Sequence, residues 1–196
     1  MRVLSLALCL GALPVFAQAP TQHEREFAMS HLHASRKLFL DALEGLSEAQ
    51  WRFKPAAERW SIAEIAEHIT ATEDLLFGFV GKVMQGTEEP ARGGEEADEK
   101  LMNMLRDRSQ RATAPAEARP TGRWKSRAEL TEAFKKGRDR TISYIETTQD
   151  SLRRHFGPEM AGTRMDAYQY LLLVAGHTER HVAQIQEVKA NPNYPK

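Results

Sequence analysis

Two histidines, His177 and His181, stand four residues apart in the run Gly176-His177-Thr178-Glu179-Arg180-His181. On a helix both imidazoles would leave one face, one turn apart, at the separation that lets two ring nitrogens bind one metal ion. An HxxxH pair taken alone reads equally well as the polar face of an ordinary helix, so its meaning depends on what stands opposite. The candidate is a third histidine, His68. The run is not the HExxH motif of zinc peptidases, because no glutamate directly follows His177. Glu73 and Glu179 are the carboxylates placed to act as a general base or to orient a ligand, although on helices this acidic the default is a solvated side chain. His31 shares a helical face with Phe27, Ala34 and Leu38 and is a weaker candidate for lining a pocket; His23, His33 and His155 read as surface residues.

Long helices must position these rings, and four helix starts are legible. A Ser or Thr followed three residues later by Glu or Asp satisfies two backbone donors that a helix N-terminus leaves unpaired. Thr21 with Glu24, Ser61 with Glu64, Ser126 with Glu129 and Thr163 with Asp166 fit that pattern. Apolar residues at three-to-four spacing follow each one and predict helices over about 22–44, 62–84 and 127–148, and from just after Thr163 to about Ala190. The first carries Leu32, Phe39 and Leu43, flanked by Phe27 and Leu38, and Gly45 suits the left-handed position that ends it. Ser47 to Gln50 can make a short turn, and Trp51, Phe53 and Trp60 read as apolar plugs closing one end. No strand-like alternation, internal repeat or phosphate-binding glycine loop is visible.

A helix rises about 1.5 Å per residue, which places His68 roughly 10 Å from the start of the second helix. His181 and His177 lie on the order of 14 and 20 Å from the end of the fourth. Antiparallel second and fourth helices therefore bring the three imidazoles to similar depth, whereas parallel ones leave them roughly 10 Å apart. That choice makes the second and third helices parallel, an up-down-down-up order, which requires one long crossover. Gln85 to Lys125 supplies it: Pro90, Gly93, Gly94, Pro115, Pro120 and Gly122 bracket a charged run from Glu95 to Arg111, in which Leu101, Met104 and Leu105 mark a short amphipathic helix. The expected fold is an all-α, up-down-down-up four-helix bundle with that crossover between helices 2 and 3. Three neutral imidazoles leave a coordination position open, the ligand count of a catalytic or exchangeable centre, and the donor set suits zinc or nickel.

Composition narrows the partners. The 196 residues are enough for one domain with a core, and 27 basic groups against 27 acidic ones leave no basic excess for nucleic acid. The first residues differ from the rest: Met1-Arg2, the apolar run Val3 to Leu13, and small residues at Ala17 and Ala19. They read as a secretory signal peptide over residues 1–17, cut after Ala17, since a cut after Ala19 would place Pro20 next to the broken bond. The expected product is a periplasmic or secreted domain over residues 21–195, with no membrane attachment once the signal is removed. It would lose Arg2 and Cys9, the one cysteine, and so have no disulfide, thiolate ligand or cysteine nucleophile.

The segments Phe53-Lys54-Pro55, Trp60-Ser61-Ile62-Ala63-Glu64-Ile65-Ala66-Glu67-His68 and Gly176-His177-Thr178-Glu179-Arg180-His181-Val182-Ala183-Gln184-Ile185 resemble the DinB/YfiT-like superfamily. The resemblance implies an up-down-down-up four-helix bundle and a divalent metal held by three histidines, the matching positions being His68, His177 and His181. It also implies a homodimer. Characterised relatives include transferases and isomerases that use thiols such as bacillithiol or mycothiol; these are cytoplasmic cofactors, and an exported chain would not meet them. The function expected is therefore that of an exported metal-dependent transferase or hydrolase of a small molecule. The alternatives are a non-catalytic metal-binding or protein-interaction bundle that uses the crossover as its surface, and a purely structural set of hydrogen-bonded histidines.

Overall fold

The computed structural model describes residues 18–109, 113–160 and 163–196. The signal-peptide expectation falls on residues 1–17, outside them. The fold is mostly helical, with helices α1 (Gln22–Leu43), α2 (Glu48–Arg52), α3 (Ile62–Val83), α4 (Glu95–Arg106), α5 (Arg127–Thr147) and α6 (Ala167–Lys189). A two-stranded antiparallel hairpin, β1 (Phe156–Met160) and β2 (Thr163–Asp166), precedes α6. Among the described residues no helix is long and apolar enough to cross a membrane.

Local chemistry explains most of the boundaries. Thr21 and Ser61 each accept a hydrogen bond from the backbone N–H three residues on, while the Glu24 and Glu64 carboxylates accept one from the cap's own N–H, at the positions their spacing predicts. Ser126 caps α5 through the N–H of Glu129, but the Glu129 carboxylate accepts from Lys125 N at 2.7 Å, so the reciprocal half of the box is shifted by one residue. Ser47 with Gln50 forms a further box that makes α2 a helix and not only a turn.

The fourth predicted start is corrected. Thr163 opens β2, and α6 begins four residues later, capped by Asp166, whose carboxylate accepts from Gln169 N at 2.8 Å. One Asp cannot serve both as the return partner of Thr163 and as a cap, and strand pairing with β1 holds residues 163–166 extended. Gly157 makes the hairpin possible where the sequence suggested only a break: a Cβ there would lie 2.6 Å from Tyr170 Cε2.

Contacts at the helix ends give the relative directions of neighbours. Arg25, in the first turn of α1, donates to the carbonyls of Ile145 and Thr148 at the end of α5, at 2.5 and 2.6 Å. The Tyr168 hydroxyl at the start of α6 donates to Glu24 O, and Lys189 Nζ at its end donates to Ala42 O, both at 2.7 Å, so α1 and α6 run the same way. Phe79 near the end of α3 packs on Tyr170 near the start of α6, with ring centroids 4.8 Å apart, and these two helices oppose. Phe77 meets Tyr144 at 5.5 Å, late in both α3 and α5.

Two apolar clusters fill the interior. One gathers Leu32, Val80, Met102, Ile145 and Leu171; the other gathers Phe39, Trp51, Ile62, Phe134 and Ile185, with Phe53 and Trp60 packed against it as the predicted plugs. Leu38 and Met104 depart from expectation. They are exposed, while Leu101, as expected, and Met102 are buried on the face that α4 turns to α6. His155, expected at the surface, is buried.

Candidate metal centre

His68 leaves α3 two turns after its cap, and His177 and His181 leave α6 one turn apart. The opposed directions of the two helices bring the three rings together. His68 Nε2 lies 3.0 Å from His177 Nε2 and 3.2 Å from His181 Nε2. His68 is buried, and the other two rings are half-buried. Among the described residues this is the group of three or more His, Cys, Asp or Glu side chains that could hold a metal ion.

The donor set fits a cation. His68 Nδ1 is 2.8 Å from Ala118 O, and a carbonyl can only accept, so that nitrogen carries the proton. In the neutral ring Nε2 then presents a bare lone pair. His181 Nδ1 is likewise 2.8 Å from Gln184 Oε1, which turns its Nε2 lone pair toward the same point. Two lone pairs 3.2 Å apart repel unless a cation or proton lies between them. Nitrogens bound to one ion at about 2.0–2.1 Å, with tetrahedral or octahedral angles, stand roughly 2.9–3.4 Å apart, which matches the spacing found. Each fixed Nδ1 is also the kind of outer contact that orients a ligating imidazole.

Protons are poor candidates for that cation. Burial pulls the His68 pKa below its ordinary value despite the bond to Ala118. His177 lies well below, first through burial and then through the neighbouring His181, His68 and Arg180 charges. His181 is pushed down to about 3 by burial, helped by His68. At neutral pH the cluster is three neutral imidazoles, the protonation state a metal requires.

The two glutamates singled out from sequence are otherwise engaged. Glu73 is buried and takes a two-point ion pair from Arg138, at 2.5 and 3.1 Å, in place of the solvated role expected of it. Glu179 is mostly covered and accepts from Arg106 at 2.7 Å, with His31 Nδ1 at 3.3 Å. His31 therefore reaches α6, the helix of His177 and His181, through Glu179.

Three groups escaped the sequence: the Ala118 carbonyl, Gln184 and Arg138, the partner of Glu73. A backbone carbonyl has no sequence signature. Arg138 had one, since it occupies the apolar stripe of α5 between Phe134 and Ile142, where a charge must find a buried partner.

Comparison with known proteins agrees with the geometry. Residues 31–185 match the family model of the DinB superfamily. The chain is 22% identical over 161 residues to the uncharacterized protein YuaE of Bacillus subtilis (strain 168), a match that covers 82% of this chain and 96% of that protein. No solved structure matches significantly.

Proposed function

The chain belongs to the DinB superfamily, and from that premise we propose that it is a metal-dependent enzyme, a transferase or hydrolase of a small molecule, whose ion is held by His68, His177 and His181. The observation that carries this reading is the convergence of three neutral Nε2 atoms, two of them with their Nδ1 protons fixed elsewhere. Bound there, a divalent ion such as zinc or nickel would supply Lewis acidity and lower the pKa of a water or thiol ligand.

The chain's own part is to hold the rings neutral, to fix their tautomers and to leave one side unligated. Trp60 packs beside His68 with ring centroids 5.0 Å apart and keeps water from that flank. Glu179 and Glu73 are held by arginines, so a general base would have to come from the substrate or its solvent.

For the scaffold we propose the up-down-down-up four-helix bundle of α1, α3, α5 and α6. Its support is the set of end-to-end contacts that run α1 against α5, α1 with α6, α3 against α6 and α3 with α5. We also propose export, on the strength of residues 1–17, and a homodimer, each open to direct test by fractionation and by light scattering.

Metal analysis of the gently purified protein tests the central reading. About one equivalent of zinc or nickel is expected for one three-histidine site. Less than half an equivalent, with no uptake on titration, would end it.

A further inference from the structure

The crossover returns to α5 through an exposed segment, residues 113–125, in which Ala118 is the buried residue. That segment touches α3 at two consecutive side chains. His68 donates from Nδ1 to Ala118 O. Its neighbour Glu67 accepts three successive backbone N–H groups: Thr121 at 2.7 Å, Gly122 at 2.9 Å and Arg123 at 3.2 Å. Gly122, with φ at +76°, curls the backbone so that these donors converge on one carboxylate.

The segment is also tied to itself. The Arg123 guanidinium donates to the carbonyls of Glu117 and Arg119 at 3.0 and 3.1 Å, bracketing Ala118. A displacement at residues 121–123 is therefore carried to the carbonyl that fixes the His68 tautomer. Burial alone would raise the Glu67 pKa, but the three N–H groups and Arg123 outweigh it and hold the carboxyl below its ordinary range.

We propose that Glu67 is a positioning residue of the metal centre: it clamps the returning crossover in the place where Ala118 O aims His68, so crossover docking and metal binding strengthen one another. The proposal rests on the metal reading above. Loss of an outer contact of this kind weakens metal binding by roughly 10- to 100-fold in comparable sites. Coupling between two binding events is reciprocal, so an ion at the histidines must in turn hold the segment down.

The test uses the full chain and zinc. Zinc affinity, measured by competition with a chelator, should fall roughly 10- to 100-fold in Glu67→Ala. Glu67→Gln, which keeps an acceptor for the N–H groups, should fall less, and it serves as the readout if the alanine variant does not fold. Arg164→Ala is the control. It cuts the tie from the hairpin to Glu89, at the other end of the crossover, and should leave zinc affinity unchanged. In the wild type, zinc should slow tryptic cleavage after Arg123, and Glu67→Ala should lose that protection. Equal zinc affinity in wild type, Glu67→Gln and Glu67→Ala, or cleavage indifferent to zinc in a wild type that binds it, overturns the proposal alone. A wild type that takes up no zinc overturns both it and the metal reading.

Discussion

Arg138 and Glu73 form a two-point ion pair, 2.5 and 3.1 Å, where all four long helices meet. Arg138 Nη1 donates to Leu32 O and Ser35 Oγ on α1, both at 2.6 Å, and Nη2 to Thr178 Oγ1 on α6 at 3.0 Å. On each helix the polar member sits between residues of the two apolar clusters: Ser35 between Leu32 and Phe39, Glu73 between Ile69 and Val80, Arg138 between Phe134 and Ile142, Thr178 between Ala175 and Val182. Thr178 is also the residue after His177. The layer thus fixes the axial register of α6 beside the histidines.

Removing one partner of that pair strands the other charge in the interior. Arg138→Ala should lose about 3–5 kcal/mol in urea denaturation, whereas Glu73→Leu with Arg138→Met, which removes both charges at similar volume, should lie near the wild type. Equal losses in the single and double variants would refute a charge-stranding origin.

The histidine cluster makes the metal-free protein acid-sensitive. Its three folded-state pKa values lie below the ordinary value, that of His181 at about 3, while unfolded imidazoles protonate near the ordinary value. Between those values the unfolded chain binds more protons, so stability is full above about pH 7 and declines as pH falls through about 6.5. The slope should be on the order of 1 kcal/mol per pH unit each for His177 and His181, and shallower by about that amount in His177→Ala. Denaturation curves between pH 7.5 and 4.5 decide it.

Removing His177 leaves two imidazoles, too few for a tight site. His177→Ala should drop bound zinc from about one equivalent to near zero by elemental analysis, with the far-ultraviolet helical signal unchanged. Retention of stoichiometric zinc would exclude His177 as a ligand.

At Gly176 the side chain of Leu105 on α4 packs close against α6. A Cβ there would stand 2.6 Å from Leu105 Cδ1 and 3.1 Å from Leu105 Cβ. Gly176→Ala should push α4 outward, cost about 1–3 kcal/mol in thermal unfolding and expose α4 to protease. An unchanged melting temperature would show that Leu105 moves aside freely.

The helices and most of their ends were legible in the sequence because their causes are local. A cap and its return partner lie three residues apart, as at Thr21 with Glu24 and Ser61 with Glu64, and an apolar stripe repeats within a turn. The meeting of His68 with His177 and His181 was legible as well. The rise per residue is fixed, so depth along a helix can be counted once the helix starts are known.

What lay beyond the sequence depends on distant strands of chain being placed side by side. Thr163 looked like a cap until strand pairing with β1 took its backbone and passed the cap to Asp166. Glu73 looked solvated, like most glutamates, and only the approach of α5 across 65 residues gives it Arg138. The carbonyl that aims His68 comes from Ala118, 50 residues on, and every residue type carries the same backbone oxygen. Local spacing therefore determined which side chains could gather at one depth; the tertiary structure decided which partners fix their protons and charges, because those bonds exist only after the crossover and the helices have docked.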